Sequence, residues 1–163
     1  MTIRYCTPLW LEESARLYKE NPRLEQELKR VTTKIFFRIT AEPSWGIDED
    51  IIFGAIVEEG KMLNLAFYSK EDAKKIAVII LATDPPEWKA ILRKDKKFIT
   101  EFMLGKITLE HGSRVTLLKI TPYANHFVAA LTQFELQYPD EMSVEELESF
   151  RTDVSEFRRE LAV

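Results

Sequence analysis

Cysteine is almost absent from this chain, since Cys6 is the only one among 163 residues. An intramolecular disulfide is therefore impossible, and redox motifs or zinc clusters that need several cysteines are excluded. A chain of this length can bury roughly two thirds of its unfolded surface and needs no such cross-link. We expect a single domain over residues 1–163 that folds in a reducing compartment.

Glycine and histidine are also scarce, with five and two residues, respectively. The scattered glycines form neither a phosphate-binding loop nor a dinucleotide-binding fingerprint. His111 and His126 have no second candidate ligand at metal-binding spacing, and Cys6 has no histidine nearby in sequence to activate it. The sequence thus predicts no catalytic residue, no metal site and no cofactor, because an enzyme would have to gather Glu or His residues from distant segments.

Positive charge is in deficit, with 23 Lys and Arg against 27 Asp and Glu and a net charge of −4. Such a chain has no general attraction for a phosphate backbone, so we do not expect nucleic acid as a partner. No apolar run reaches the roughly 18 residues of a membrane-spanning helix. The first eight residues also lack the apolar segment of a secretory signal, which favours a cytoplasmic protein.

Helix signals occur towards both ends of the chain. Thr7-Pro8, Asn21-Pro22 and Asp84-Pro85 each join an N-cap residue to a proline in the first turn, which predicts a helix after each pair. A further helix is predicted over about 123–138. Ser143 and Glu146 form a capping box that begins a last helix, whose apolar stripe consists of Leu147, Phe150, Val154, Phe157 and Leu161.

Strand signals fill the middle of the chain. Alternation places Ile35, Phe37 and Ile39 on one face of a strand, and two apolar runs around Glu58-Glu59-Gly60-Lys61 predict a β-hairpin. Residues 76–82 are apolar throughout, which predicts a strand at the middle of the sheet. The predicted strands are 34–40, 50–58, 61–68, 75–83 and a short edge strand at 106–109. The order of elements predicts an α+β fold with helices against a mostly antiparallel sheet.

Residues 88–119 carry a family resemblance. An apolar helix with Trp88, Ile91 and Leu92 precedes a short basic linker, and the run Phe102-Met103-Leu104-Gly105-Lys106-Ile107 leads into a strand before Gly112 and Leu117-Leu118-Lys119. This succession, placed after four strands, resembles the sterol carrier protein type 2 family. The resemblance covers about residues 8–135 and leaves a C-terminal helical extension at 140–163, although the spacing from Gly105 to Gly112 is one residue longer than in the family.

The resemblance implies a five-stranded sheet covered by helices, with an apolar tunnel between them that holds a fatty acyl, isoprenoid or sterol-like tail. It implies a lipid-binding and lipid-transfer role without a cofactor or catalysis. Carried over by position, the residues of the tunnel wall are Trp88, Ile91, Phe98, Phe102, Met103, Phe127 and Leu131. The alternative is that these side chains fill a solid core, as helical apolar stripes usually do. A continuous apolar cavity of about 300 Å³ or more would separate the two interpretations.

Two surface features leave further alternatives open. The basic residues Arg93, Lys94, Lys96 and Lys97 could contact lipid headgroups or an anionic membrane transiently, or they could form a solvated linker. The stripe of the last helix could form a homodimer or bind another chain, or it could pack against its own domain. The rival to lipid binding is therefore a non-catalytic interaction or dimerisation module with a closed tunnel.

Overall fold

The computed structural model describes residues 2–163, which form seven β-strands and eight α-helices. None of these helices combines the length and the apolarity that a membrane crossing requires. In chain order the elements are β1 (Thr2–Arg4), α1 (Pro8–Lys19), α2 (Pro22–Glu27), β2 (Thr33–Ile39), β3 (Ile51–Glu58), β4 (Lys61–Tyr68), α3 (Lys70–Ile76), β5 (Ile79–Thr83), α4 (Pro85–Leu92), α5 (Phe98–Met103), β6 (Thr108–His111), α6 (Arg114–Ile120), α7 (Ala124–Leu131), β7 (Glu135–Gln137) and α8 (Val144–Leu161).

Five of the strands form one mixed sheet in the order β4-β3-β2-β5-β6. β2 lies at the centre, antiparallel to β3 and parallel to β5, so that Ile35 is flanked by Ala55 and Ile79. The β3–β4 and β5–β6 pairs are antiparallel. The predicted α+β class with a five-stranded, mostly antiparallel sheet is confirmed, and α8 is the predicted additional helix at the C-terminal end.

The apolar segment 76–82 does not form the middle strand, contrary to the prediction. α3 continues to Ile76, β5 begins at Ile79, and β6 pairs with the outer edge of β5. Every residue of β5 is nevertheless buried. A second small core on the far face of the sheet explains this burial, because Ile80 clusters there with Phe36 and Ala73. Continuous apolarity therefore reflects two covered faces rather than a central position in the sheet.

The predicted β3–β4 hairpin has a two-residue turn. Glu59 and Gly60 both have positive φ angles, 49° and 81°, as the turn types that match strand twist require. A Cβ atom on Gly60 would also lie 2.7 Å from the backbone oxygen of Glu25, so only glycine fits against α2. The buried Tyr18 hydroxyl donates a hydrogen bond to the Gly60 carbonyl and anchors the turn to α1.

The structure confirms the predicted helix starts but not the predicted end of one helix. The side chains of Thr7, Asn21, Asp84 and Ser143 each accept a hydrogen bond from a backbone N–H group in the first turn, as predicted. The helix predicted over about 123–138 ends at Leu131 instead. The chain then extends into β7, which pairs in parallel with β1 and joins the two ends of the fold.

α8 packs on its own domain. Phe150, Val154 and Phe157 are buried, and the Phe157 ring stacks on Phe67 of β4 with 4.9 Å between ring centroids. The Arg158 guanidinium donates to the Glu49 and Asp50 carbonyls at 3.0 and 2.8 Å. The centre of the apolar stripe is thus already covered within the chain and offers no free face for a second copy.

A candidate apolar binding site

A cavity of about 70 Å³ lies between one face of the sheet and the helices that cover it. Its lining combines residues from β2, β3 and β5 with residues from α1, α4, α5, α6 and α7, and nearly all of them are apolar. The lining residues are Tyr5, Trp10, Ile35, Phe37, Phe53, Leu81, Trp88, Ile91, Leu92, Phe98, Leu117, Ile120, Thr121, Ala124, Phe127, Val128 and Leu131.

Aromatic rings form the wall on the sheet side. Residues two apart in a strand share a face, so Ile35 and Phe37 of β2 both point into the cavity. The Phe37 ring stacks on Phe53 of β3 at 4.9 Å and meets Trp88 of α4 edge to face at 5.5 Å. Trp10 of α1 also meets Phe53 edge to face, with 5.1 Å between ring centroids. These contacts link the two helices to the sheet across the base of the cavity.

The few polar atoms of the lining are mostly bonded to the backbone. The Trp10 indole N–H donates to the Leu131 carbonyl at 2.9 Å, and the Trp88 indole N–H donates to the Arg38 carbonyl at 3.4 Å. The Thr121 hydroxyl donates to the Leu118 carbonyl at 2.9 Å. Such bonding removes these groups as partners for a bound molecule.

The Tyr5 hydroxyl is the exception, because it is buried and has no hydrogen-bond partner within residues 2–163. Burial raises the pKa of this hydroxyl well above its usual value, and Cys6, Tyr138 and Asp84 raise the pKa further. Tyr5 is therefore neutral at physiological pH. The lining carries no charge, which suits an apolar molecule.

Four lining residues on the helical side are only half-buried, namely Phe98, Ile120, Thr121 and Ala124. They lie at the start of α5 and at the junction of α6 with α7, where Thr121 and Pro122 form a short 3₁₀ turn. The cavity thus opens towards solvent between α5 and this junction.

The same arrangement of sheet and helices occurs in solved structures. The solution structure of a conserved hypothetical protein from Thermus thermophilus, described as a candidate sterol carrier protein, matches with a TM-score of 0.70 and 13% identity over 83% of this chain and 92% of that chain. The crystal structure of a sterol carrier protein 2 matches with a TM-score of 0.63 and 13% identity over 77% and 94%. This chain has the sterol carrier protein 2 fold.

The likeness is one of structure rather than of sequence. No protein-family model matches the chain, and no curated protein matches it. At 13% identity the shared feature is the sterol carrier protein 2 fold itself.

Five of the seven predicted wall residues line the cavity of this sterol carrier protein 2 fold. They are Trp88, Ile91, Phe98, Phe127 and Leu131. Phe102 is buried but lies behind the wall, where its ring is parallel to that of Phe98 with 6.1 Å between centroids. A role of these residues in binding a lipid stays a prediction.

Met103 does not belong to the wall, which corrects its prediction. Its side chain is 65% exposed. α5 has only six residues, and residues four apart share one helix face, so Phe98 and Phe102 both face inward. Met103 follows Phe102 by about 100° of rotation and points to solvent.

The remaining lining residues are not among the wall residues that the sequence predicts. Ile35 and Phe37 have a usable signal, since their alternation places them on one face of β2. Tyr5 and Trp10 have none, because they reach the cavity only when the first segment of the chain folds back beside α7. Trp10 is completely buried, and its bond to Leu131 spans 121 residues of sequence.

The basic segment 93–97 divides into engaged and exposed side chains. The Lys96 ammonium lies 3.1 Å from buried Glu87 and 3.8 Å from buried Glu101, and its hydrogen bond to Glu87 raises the pKa of Lys96. Arg93 lies 3.1 Å from Glu141. Lys94 and Lys97 are exposed and form no ion pair within residues 2–163. Only these last two are free to meet a headgroup without breaking a bridge.

The two histidines and the cysteine, considered above for metal binding or catalysis, do not line the cavity. His111 is exposed on β6, and the His126 imidazole is 3.3 Å from Glu27. Cys6 is completely buried, and burial raises its pKa to about 12, so that its thiol stays protonated. In the described part of the chain, no group of three or more His, Cys, Asp or Glu residues could hold a metal ion.

Proposed function

We propose that this protein binds the apolar tail of a lipid in the cavity and passes that lipid between membranes. A fatty acyl, isoprenoid or sterol-like tail fits the chemistry of the site. The observation that carries the proposal is an uncharged lining of seventeen residues, whose polar atoms except the Tyr5 hydroxyl are bonded to the chain. The fold supports it, because the neighbours of the same fold include a sterol carrier protein.

The energetics favour occupation of this space. The space of about 70 Å³ has room for only a small part of a tail before it widens. A tail that enters an apolar site contributes about 0.8 kcal/mol for each buried CH₂ group.

The cavity must widen when a tail enters. Its volume of about 70 Å³ is well below the roughly 300 Å³ at which ligand pockets begin. The outer wall consists of short helices, α5 with six residues, α6 with seven and α7 with eight. None of them shares the hydrogen-bond ladder of the sheet, so we propose that they move outward while the sheet stays intact.

The small volume also favours a second candidate function. A protein that retained the fold and closed its tunnel would serve as a non-catalytic interaction module. It would bind no lipid at any concentration that leaves the fold intact. The central stripe of α8 is not available for that role, so the interaction surface would have to lie elsewhere.

Headgroup contact belongs to the same proposal. Lys94 and Lys97 are exposed beside the start of α5, near the opening marked by Phe98. We propose that these two side chains attract anionic headgroups, whereas Arg93 is engaged with Glu141 and Lys96 with Glu87 of α4. The attraction by Lys94 and Lys97 would raise the rate of encounter with an anionic surface, and salt would screen this attraction.

A cavity-filling substitution tests lipid binding. Ala124→Leu places a larger apolar side chain in the opening. We expect it to weaken the binding of cis-parinaric acid, a fluorescent fatty acid, at least tenfold (about 1.4 kcal/mol), because the new side chain prevents the burial of a few CH₂ groups of the tail. Fluorescence titration of the purified full chain measures the affinity. Stability should change by less than about 1.5 kcal/mol, since the added groups enter empty space.

The matched control is Ala90→Leu. Ala90 is also a half-buried helical alanine, but it does not line the cavity. Its variant should bind the probe like the parent protein. Equal affinities for all three proteins, or no binding by the parent, would reject the cavity as a lipid site and favour the closed module.

A further inference from the structure

Exposed apolar side chains concentrate on two short helices beside the opening. Ten large hydrophobic residues of the described chain are exposed, and five of them belong to α5, α6 and the residue after α5. We name this surface the α5–α6 face, formed by Ile99, Met103, Leu104, Val115 and Leu118. The exposed fractions of Met103, Leu104 and Val115 each reach 65%. Single exposed apolar residues are ordinary, but a group of five on adjoining elements indicates a contact surface.

The opposite faces of the same helices form the cavity wall. Phe98 of α5 and Leu117 and Ile120 of α6 line it. The Arg114 guanidinium at the start of α6 lies 5.2 Å from the centre of the Phe102 ring, which holds the two helices together. Anything that covers the α5–α6 face therefore covers the rim of the opening.

Charge around the face has the opposite sign to the whole chain. Residues 93–120 contain seven Lys and Arg against three Asp and Glu, whereas the protein has a net charge of −4. Of the three acidic residues, Glu101 is buried and Glu110 is bound to Arg38, which leaves only Asp95 exposed and unpaired within the described residues 2–163.

Three exposed basic residues lie on or next to the same two helices. Lys97, Arg114 and Lys119 are exposed and make no ion pair in the part of the chain that the structure describes. Exposed apolar residues next to unpaired basic residues are the composition that an anionic bilayer surface binds, because apolar side chains enter the acyl boundary while cations meet the phosphates.

We propose that the α5–α6 face docks on the surface of an anionic lipid bilayer and brings the opening of the cavity against the membrane. This inference rests on the proposed lipid-binding function. A second copy is a poorer occupant, because a symmetric dimer would place the same basic residues of both chains opposite one another. Docking by this face would let a tail pass between the bilayer and the cavity without crossing water.

Vesicle cosedimentation of the full chain tests the proposal. The vesicles contain phosphatidylcholine with or without phosphatidylglycerol. We expect binding only when phosphatidylglycerol is present, and at least a tenfold loss for Met103→Ser combined with Leu118→Ser, since both side chains lose buried apolar area. Lys97→Glu combined with Lys119→Glu should lose at least about thirtyfold at low salt, because each basic residue contributes about 1 kcal/mol near such a surface.

Matched controls lie on β4, at the other edge of the sheet. Leu63 is 57% exposed and Lys61 is exposed, so Leu63→Ser and Lys61→Glu should leave vesicle binding unchanged. Equal losses in these controls, or binding independent of phosphatidylglycerol, would overturn the assignment. The assignment would also be overturned if sedimentation showed that the parent protein is a dimer and that the Met103 and Leu118 variant is a monomer.

Probe binding without vesicles separates this inference from the proposed function. The Met103 and Leu118 variant should bind cis-parinaric acid like the parent, since neither residue lines the cavity. Vesicle binding by a parent protein that does not bind the probe would refute the lipid cavity and leave the docking face. Probe binding without vesicle binding would refute the docking face and leave the cavity.

Discussion

At the residue scale, a side chain such as Trp10 shapes the cavity both through its hydrogen bond and through the space that its ring fills. Trp10 is completely buried, packs edge to face on Phe53 and gives its N–H to the Leu131 carbonyl at the end of α7. The indole thereby connects α1 to the helical wall and satisfies a carbonyl that would otherwise be buried without a partner. One residue thus supports both the stability of the domain and the apolar character of the site.

Trp10→Phe should separate the hydrogen bond from the ring. Phenylalanine keeps an aromatic contact but leaves the Leu131 carbonyl unsatisfied, and we expect a loss of about 1–3 kcal/mol in the free energy of unfolding. Urea denaturation measures it. The control is Trp45→Phe, because the Trp45 indole makes no hydrogen bond within the described chain. If the two variants lost the same amount, the bond to Leu131 would not be a distinct source of stability.

Sequence patterns locate wall residues well where one helix face is long and apolar. Trp88 and Ile91 in α4, and Phe127 and Leu131 in α7, are three or four residues apart and all line the cavity. The same reasoning fails for Met103, which is the last residue of the six-residue helix α5. One residue of helical rotation separates it from the inward-facing Phe102, and this is enough to turn its side chain to solvent. Residues such as Tyr5 cannot be predicted from local sequence, since a long-range chain path brings them to the site.

At the scale of elements, α8 acts as a clamp outside the binding site. It packs on β4 through Phe157 and Phe67 and on the loop before β3 through Arg158, and none of its residues lines the cavity. Arg4 adds a link to β1 through Asp153 at 3.2 Å. The helix therefore ties several elements together without reaching the site.

Phe150→Ala tests this assignment. The ring is completely buried, and its removal should cost about 3–5 kcal/mol in the free energy of unfolding, measured by chemical denaturation. Leu161→Ala, at a position 50% exposed on the same stripe, should stay within about 0.5 kcal/mol. Affinity for cis-parinaric acid at a temperature where the variant is folded should not change. A change of oligomeric state with unchanged stability would instead show that the stripe contacts a second copy.

The elements themselves are predictable in proportion to their local signals. The strands β2, β3 and β4 and the starts of α1, α2, α4 and α8 follow from alternation and capping residues. α3 is not among the predicted helices, although Ser69 is its N-cap. β1 and β7 have three residues each, too few for any alternation, and they pair residues 2–4 with residues 135–137, far apart in sequence.

At the scale of the molecule, one fold unites an apolar interior site with a basic outer surface on a chain that is acidic as a whole. The cavity lies between sheet and helices, its opening lies between α5 and α7, and the α5–α6 face belongs to two of the helices that line the cavity. Cavity volume could not be predicted from sequence, because it depends on how all seventeen side chains fill the space together. The proposed function therefore depends on whether this space opens for a tail.

Native mass spectrometry of the full chain, as purified and after incubation with palmitate, measures this most directly. We predict a one-to-one complex with palmitate, or with a lipid that copurifies, in the parent protein and in Ala90→Leu, and a strongly reduced complex in Ala124→Leu. The mass of a copurified molecule would also identify the ligand class. A parent protein that remains unliganded at every palmitate concentration, while folded, would contradict the account and establish a closed cavity.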